Sequence, residues 1–333
     1  MAHATIRDVA READVSVASV SRALNGHSNV RPELRRHVET VAAALGYVPH
    51  AGARNLSMAR ANAIGVVLPD LHGEFFSETL RGMDRAASER GLHLLLSNLH
   101  DGDRAVGMLH TMRGRVDGLI IMAPHIDPAL LLAGLPPSIP AVLVNCAAPG
   151  KDRPTLQVDN VAGARVMTEH LIATGRRAIV HVSGPESNAE ARERIAGYRA
   201  AMDAAGLPHR IVTGDFMQET GAALTPQILR DHPDADAIFA ANDMMAIGAM
   251  IALRAAGVDV PGQIALAGFD DIPLSRLISP ALTTMHVDIA GIGARAVARL
   301  TEAIAGAKDH QLEMSLPELM VRETTQKARV SRA

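Results

Sequence analysis

Two groups of side chains in the 333-residue sequence have types and spacing that could do chemistry. The first lies at what read as the ends of apolar strands: Asp70 with Phe75 and Phe76, then Asn145, Phe216, Asn242-Asp243 and Asp270-Asp271, with Arg194 on a helix after the Gly184-Pro185 turn. Carboxylate and amide oxygens accept from ligand hydroxyls, a guanidinium supplies a donor fork, and an aromatic ring covers a C–H face. Phe75, Phe76, Asn145, Arg194, Phe216, Asn242 and Asp270 therefore form a candidate site for a hydroxylated small molecule. Each residue also has a plainer use. Asn and Asp after a strand cap the next helix, Arg194 pairs with Glu190 at helical spacing, and Phe75 or Phe76 belongs equally well in a core. Residue type does not choose between these readings.

The second group is Ser16, Val17, Ala18, Ser21 and Arg22. Small and hydroxyl residues on the outer face of a short helix let it press into a major groove, and Arg22 offers the fork that reads a guanine. Any pair of short amphipathic helices with Ser caps would look similar. Catalysis, by contrast, has no carrier. There is no Gly-x-Ser-x-Gly elbow, no phosphate-binding loop and no acid and base pair. Gly291-Ile-Gly-Ala-Arg-Ala296 imitates a dinucleotide fingerprint, but it reads as the interior of an amphipathic helix with Ile289, Ile292, Val297 and Leu300 and follows the last element rather than the first. Fifteen His without a His-Glu-x-x-His spacing and a single cysteine, Cys146, argue against a metal site and exclude an internal disulfide. No cofactor is expected, and the chain does not read as an enzyme.

The elements that must position these residues follow from periodicity. Thr5 with Asp8 three residues on caps a first helix carrying Ile6, Val9, Ala10 and Ala13 on one face. Asp14 breaks it, and Ser16 caps a second helix that buries Val20, Ala23 and Leu24. A third helix opens at Pro32 and runs to Leu45, with Leu34, Val38, Val41, Ala42 and Leu45 inward and Gly46 ending it. Arg35 and Arg36 on it either meet phosphates or form a solvated face. Residues 51–59 are weakly amphipathic, contain the helix-weakening Gly52 and read on composition as a linker.

From Ala63 short apolar strands alternate with helices. Strands are expected at 64–68, 92–96, 118–122 and 141–144, then at 178–182, 210–212, 237–240, 264–267 and 319–322; helices at about 75–90, 103–114, 128, 160–174, 190–205, 219–231, 243–256 and 289–305. Two parallel doubly wound halves in tandem leave a cleft, with ligands expected outside the carboxyl ends of the strands. Length suggests two or three domains, and 48% hydrophobic residues suffice for large cores. Residues 1–60 hold eight Arg against five Asp plus Glu, a net +3, so the remainder carries −6 of the overall −3. That asymmetry places a nucleic-acid partner at the N-terminal end. Without a signal-peptide pattern or an apolar run of membrane length, a cytoplasmic protein with no membrane partner is expected.

The stretch Val15-Ser-Val-Ala-Ser-Val-Ser-Arg-Ala-Leu-Asn-Gly26 resembles the headpiece signature of the lactose and galactose repressor (LacI/GalR) family almost letter for letter. The likeness extends along the whole chain, through Ala241-Asn-Asp243 and Gly268-Phe-Asp-Asp271. It implies an α/β protein: an all-α helix-turn-helix headpiece (1–48), a hinge helix (49–60), and a two-lobed core like a periplasmic binding protein, built of two doubly wound parallel sheets. The lobes would be 61–157 with 288–314 and 158–287 with 315–326. It adds Thr5, Asn25, Asn29 and Ala53 to the DNA-binding set and makes Leu56 a wedge in the minor groove. It matches Arg194, Asn242 and Asp270 to effector contacts and places Phe216 where an aromatic stacks on the ligand. The expected partners are a pseudo-palindromic double-stranded operator, a sugar or sugar derivative, and a second copy of the chain. The expected function is repression of a carbohydrate or related small-metabolite operon. Residues 325–333 carry no apolar heptads, so a dimer rather than a tetramer is expected. Two departures bear on the ligand: Gly73-Glu74 stands where many sugar-responsive members have Asn-Pro, and Cys146 where they have Arg. A secreted binding protein and a nucleotide-dependent enzyme are the rival readings; the headpiece argues against the first, and turnover of nucleotides would reveal the second.

Overall fold

The computed structural model describes residues 4–25, 27, 29–47, 60–69, 73–99, 107, 109, 111–127, 130, 133–134, 139–146, 153–308 and 310–326. The chain divides into two compact units, residues 1–62 and 63–333.

In the first unit, α1 (Ile6–Glu12) begins where the Asp8 carboxylate accepts the Thr5 backbone N–H at 3.0 Å and the Thr5 hydroxyl at 2.7 Å. Asp14 takes a left-handed conformation (φ 49°), which turns the chain into α2 (Val17–Leu24). The Ser16 hydroxyl accepts the Ser19 N–H at 3.1 Å and so satisfies one of the free donors of the first turn of α2. α3 (Pro32–Ala44) starts on Pro32, whose missing N–H would have had no helical partner there. Val9, Ala10, Ala13, Val20, Ala23, Val38 and Ala42 form the buried centre, with Val15, Leu24, Leu34 and Val41 half-buried against it. Leu45 does not join them: it is the C-cap residue and is exposed, because the helical register ends one residue earlier than its apolar pattern suggests.

The second unit contains two parallel sheets. The larger takes β1 (Ala63–Leu68), β2 (His93–Asn98), β3 (Gly118–Met122), β4 (Ala141–Val144), β5 (Thr155–Val158) and β11 (Leu312–Ser315) in the order β11-β5-β4-β3-β1-β2. The smaller takes β6 (Ile179–Ser183), β7 (Ile211–Thr213), β8 (Ala237–Ala240) and β9 (Ala265–Ala267) in the order β7-β6-β8-β9. Strands β3, β4, β6 and β8 are buried along their whole length, so β3, β4 and β8 read as unbroken apolar runs and β6 as one interrupted by the buried His181, while the edge strand β2 is largely exposed. A separate antiparallel pair joins β10 (Thr284–His286) to β12 (Glu318–Met320).

The helices alternate with the strands: α4 (Glu74–Ser88), α5 (Asn160–Ala173), α6 (Ala189–Ala204), α7 (Gln218–Asp231), α8 (Asp243–Ala255) and α9 (Ile289–Ile304). α9 returns from near the end of the chain to pack on α4, β3 and β4. Gly82 of α4 faces the Ala290 backbone and Gly293 of α9 faces the Thr79 carbonyl, both closer than a Cβ would allow. Gly293 thus belongs to a helix crossing and Gly291 to the Asp288-capped first turn of α9, not to a phosphate turn.

Several boundaries differ from expectation. β2 continues to Asn98, the last strand spans Glu318–Met320 instead of 319–322, and β5, β10 and β11 were not anticipated. β11 presents Leu312 and Met314 to solvent, so it lacks a strand's usual one-sided apolar face. Residues 155–158 follow a turn-rich stretch that hides their alternation. The helices expected at 103–114 and 128, and Gly52, Ala53, Leu56 and Asp70, lie wholly or largely outside the described residues.

Candidate ligand cleft and nucleic-acid interface

The carboxyl ends of the two parallel sheets face one another across a partly open cavity of about 470 Å³, which shares lining residues with a second of about 720 Å³. The first sheet's side supplies Pro69, Phe75, Phe76, Met122 and Pro124; the second supplies Asn188, Glu190, Arg194, Phe216, Asn242 and Asp270. Six of the seven ligand candidates are therefore together. The seventh, Asn145, lies beside the cavity with its amide committed: Nδ2 donates to Glu190 Oε1 at 2.9 Å, and Oδ1 accepts the Val158 N–H at 3.2 Å.

Local backbone geometry aims these side chains. Asn145, Phe216, Asp270 and Asp271 all have positive φ (47°, 71°, 110° and 56°), which costs free energy for any residue with a Cβ and is least expected of a bulky ring. Phe216 keeps its place because Gly184 lies directly under its ring, where a Cβ would collide. Asn242 caps α8 by accepting the Met245 N–H at 3.0 Å and donates Nδ2 to the Phe216 carbonyl at 2.9 Å. The capping role and the cleft position are thus compatible. Phe75 and Phe76 meet edge to face, with centroids 5.5 Å apart.

Arg194 is the only cation among the described lining residues. It is buried, donates Nε to Asn160 Oδ1 at 2.8 Å and one terminal nitrogen to the Ala241 carbonyl, and rests 4.0 Å from the centroid of Phe269. Its other terminal nitrogen lies 3.5 Å from Asp270 Oδ1 and 3.9 Å from Glu190 Oε1. Burial pushes the Asp270 carboxyl up to about 7 against the pull of Arg194. Burial does the same to Glu190, also to about 7, helped by Asp270 and Glu193 and opposed by Arg194. Behind them Asp243, wholly buried, is raised well above the carboxylate range by burial and by Asp270; it accepts from Thr284 Oγ1 at 2.6 Å and from the Ile272 N–H at 2.9 Å. Asp271 points away from the cavity. Burial works against its charge, but hydrogen bonds from Arg276, Arg322 and Ser275 prevail and hold it below the usual carboxylate range.

Glu190 is the lining residue that the sequence reading missed as a ligand contact, seeing in it only an intrahelical partner for Arg194. Its signal was position: an acid in the first turn of a helix capped by Asn188, four residues before Arg194 and so on the same face. Asn188, Met122, Pro69 and Pro124 carried no distinguishing pattern.

On the first unit, Val17, Ala18 and Arg22 are exposed along α2, with Ser21 half-buried between them. Arg22 Nε donates to the Ala18 carbonyl at 3.2 Å, which lays the guanidinium along the helix. Ser19, Arg22, Asn29, Arg31 and Glu33 border a shallow polar depression beside it. Asn25 Nδ2 reaches Ser21 Oγ at 3.3 Å, and Arg35 donates to the His27 carbonyl at 2.6 Å, tying α3 to the loop after α2. Thr5 is engaged with Asp8, as given above.

Residues 5–50 match the family model for bacterial regulatory proteins of the lacI family, and residues 61–324 match that for periplasmic binding proteins and the sugar binding domain of the LacI family. The chain belongs to the LacI family. It is 36% identical over 324 residues to the ribose operon repressor of Escherichia coli (strain K12), covering 96% of this chain and 98% of that protein. With catabolite control protein A of Priestia megaterium it shares 33% over 304 residues, covering 90% and 92%. Among solved structures it is similar to a lac repressor dimer bound to operator and the anti-inducer ONPF, at TM-score 0.88 and 29% identity, covering 97% and 99% of the two chains. Like its family, the protein is a ligand-responsive DNA-binding transcriptional repressor and not an enzyme. No described helix is long and apolar enough to cross a membrane.

Proposed function

We propose that the protein is a cytoplasmic dimer that represses a carbohydrate operon, reading one operator half-site per subunit with α2 and sensing a sugar-sized ligand in the cleft. The observation that carries the sensing half is the convergence of Phe75 and Phe76 from one sheet with Arg194, Phe216, Asn242 and Asp270 from the other on a single cavity. A ligand gripped from both sides favours one interlobe angle over another and shifts the equilibrium by as much as its differential affinity, typically about 1–3 kcal/mol. The proposed lobes are 61–157 with 288–314 and 158–287 with 315–326, and the proposed relay is the 49–60 hinge with Ala53 and Leu56 in the minor groove. A relative named for repressing the ribose operon and a cellobiose-bound regulator of the same fold support a sugar as effector.

Two variants test the halves separately. Arg22→Ala is expected to lower operator affinity by about 1–3 kcal/mol and to flatten the preference at one base pair per half-site. Asp270→Ala is expected to abolish the ligand response while ligand-free operator affinity stays within a few-fold of the parent, both titrated at one fixed salt concentration. A full response from Asp270→Ala would mean that the cleft is not the sensor.

A further inference from the structure

The polar valences of the cleft are unevenly spent. Arg194 has given Nε and one terminal nitrogen to Asn160 and the Ala241 carbonyl, so a single nitrogen faces two carboxylates. Asp270 Oδ1 is buried and has no hydrogen-bond partner, which leaves an acceptor waiting for a donor. The N-terminal ends of α6 and α8 would ordinarily attract an anion. Here two first-turn N–H groups of each are already engaged, Ala189 by the Pro124 carbonyl at 2.9 Å and Ala191 by Asn188 Oδ1 at 3.1 Å, Asp243 by the Phe269 carbonyl at 2.8 Å and Met245 by Asn242 Oδ1 at 3.0 Å. Glu74 and Asp215 add two more acids at the mouth. Cys146, buried beside the cavity, is a neutral thiol that donates to the Ile121 and Val144 carbonyls and brings no positive charge.

We infer that the cleft selects an uncharged, hydroxyl-rich ligand over its phosphorylated or carboxylated derivatives, and that Glu190 is the residue that enforces the difference. The inference rests on the sugar reading given above. A ligand hydroxyl donates to Asp270 Oδ1 and leaves Arg194 balanced between the two acids. A phosphate or carboxylate would instead need the one remaining Arg194 nitrogen while lying against Glu190 and Asp270, whose own burial weakens screening of the repulsion between like charges. Glu190 is the decisive acid because Asp270 also serves neutral ligands, whereas Glu190 already has the Asn145 amide as its donor and contributes mainly the charge it carries above about pH 7.

The test, at pH 8 where Glu190 is ionised, is a thermal-shift and calorimetric comparison of the full-length protein with matched sets: ribose and ribose 5-phosphate; glucose, glucosamine, gluconate and glucose 6-phosphate; galactose, galactosamine and galactose 6-phosphate. For the set that binds, the neutral sugar is expected to bind at least a hundredfold more tightly than its anionic derivatives, while the amine, which brings a donor and no negative charge, is not excluded in the same way. Glu190→Gln is expected to narrow the gap to the anion at least tenfold by improving the anion's binding. An anion less than a hundredfold weaker than its neutral parent, or an amine excluded as strongly as the anions, overturns the charge selection and leaves the sugar reading standing. An unchanged gap in Glu190→Gln, with the wild-type comparison as expected, overturns the assignment to Glu190. If no neutral or charged sugar binds, the sugar reading falls and this inference with it.

Discussion

Replacing Glu190 by Gln should reverse part of the pH dependence of folding. In the folded protein burial raises this carboxyl from its ordinary value of 4.5 to about 7. Below about pH 4.5 the group is protonated in both folded and unfolded chains, and the folded state keeps its full stability. As pH rises toward 7 the unfolded chain releases the proton freely while the folded chain must either hold it or bury a charge, so stability is lost across that window. A shift of about 2.5 units at 1.36 kcal/mol each sets a ceiling of about 3 kcal/mol. Asp270 is raised to about 7 by the same burial and shares Arg194, so the two titrate as a pair and Glu190 accounts for only part of the loss. Gln mimics the protonated acid. The variant should therefore match the wild type near pH 5 and exceed it by about 1–3 kcal/mol at pH 8. Urea unfolding of ligand-free protein at pH 5, 6, 7 and 8, at constant ionic strength, measures the difference directly. A difference that stays flat to within about 0.5 kcal/mol, or that declines with pH, would refute the placement of Glu190 as a buried, weakly compensated acid.

Two further expectations concern what holds the cleft in shape. Gly184→Ala puts a methyl under the Phe216 ring; the ring must swing aside, ligand affinity should fall at least tenfold, and calorimetry should show operator binding without ligand unchanged. Asp271→Asn removes the counter-charge of the largely buried Arg322, whose nitrogen lies 2.5 Å from Asp271 Oδ1, and should cost about 3–5 kcal/mol. Because the folded-state pKa of Asp271 is depressed, that stabilisation is present at neutral pH and lost in acid, so the deficit of the variant in urea unfolding should shrink as pH falls below about 4.

The parts of the fold that were legible in the sequence are those where one physical rule dominates. The headpiece helices announce themselves by caps at Thr5, Ser16 and Pro32 and by apolar residues at helical spacing. The buried central strands announce themselves as short unbroken apolar runs, because both of their faces are covered. The rule fails at edges. β11 exposes Leu312 and Met314 and pairs with β5 more than 150 residues earlier in the chain, a relation that no local pattern encodes. In the cleft, residue type and strand-end position nominated Phe216, Asn242 and Asp270, and helix position nominated Arg194; all four line the cavity, but residue type and position did not choose between ligand contact and a capping or packing role. They could not show that Asn145 spends its amide on Glu190, since that hydrogen bond joins elements of different sheets and depends on how closely the lobes approach. Nor could they separate Asp270 from Asp271. Adjacent in sequence, the two point opposite ways, one into an under-supplied cavity and one into a cluster of cations.

The return of α9 and β11 to the first sheet has a consequence during synthesis. The first sheet lacks an edge strand, and α4 lacks the helix that covers it, until residue 315 has left the ribosome, whereas the three helices that read DNA are complete by residue 44. For most of its translation a nascent chain therefore displays a finished DNA-reading unit ahead of an unfinished sensor, and a chain cut short before α9 exposes the apolar flank of α4 to proteases. Truncated products are therefore expected to be cleared instead of persisting as repressors that no ligand can release, and the lifetime of a chain ending before α9 measures this against that of the whole protein.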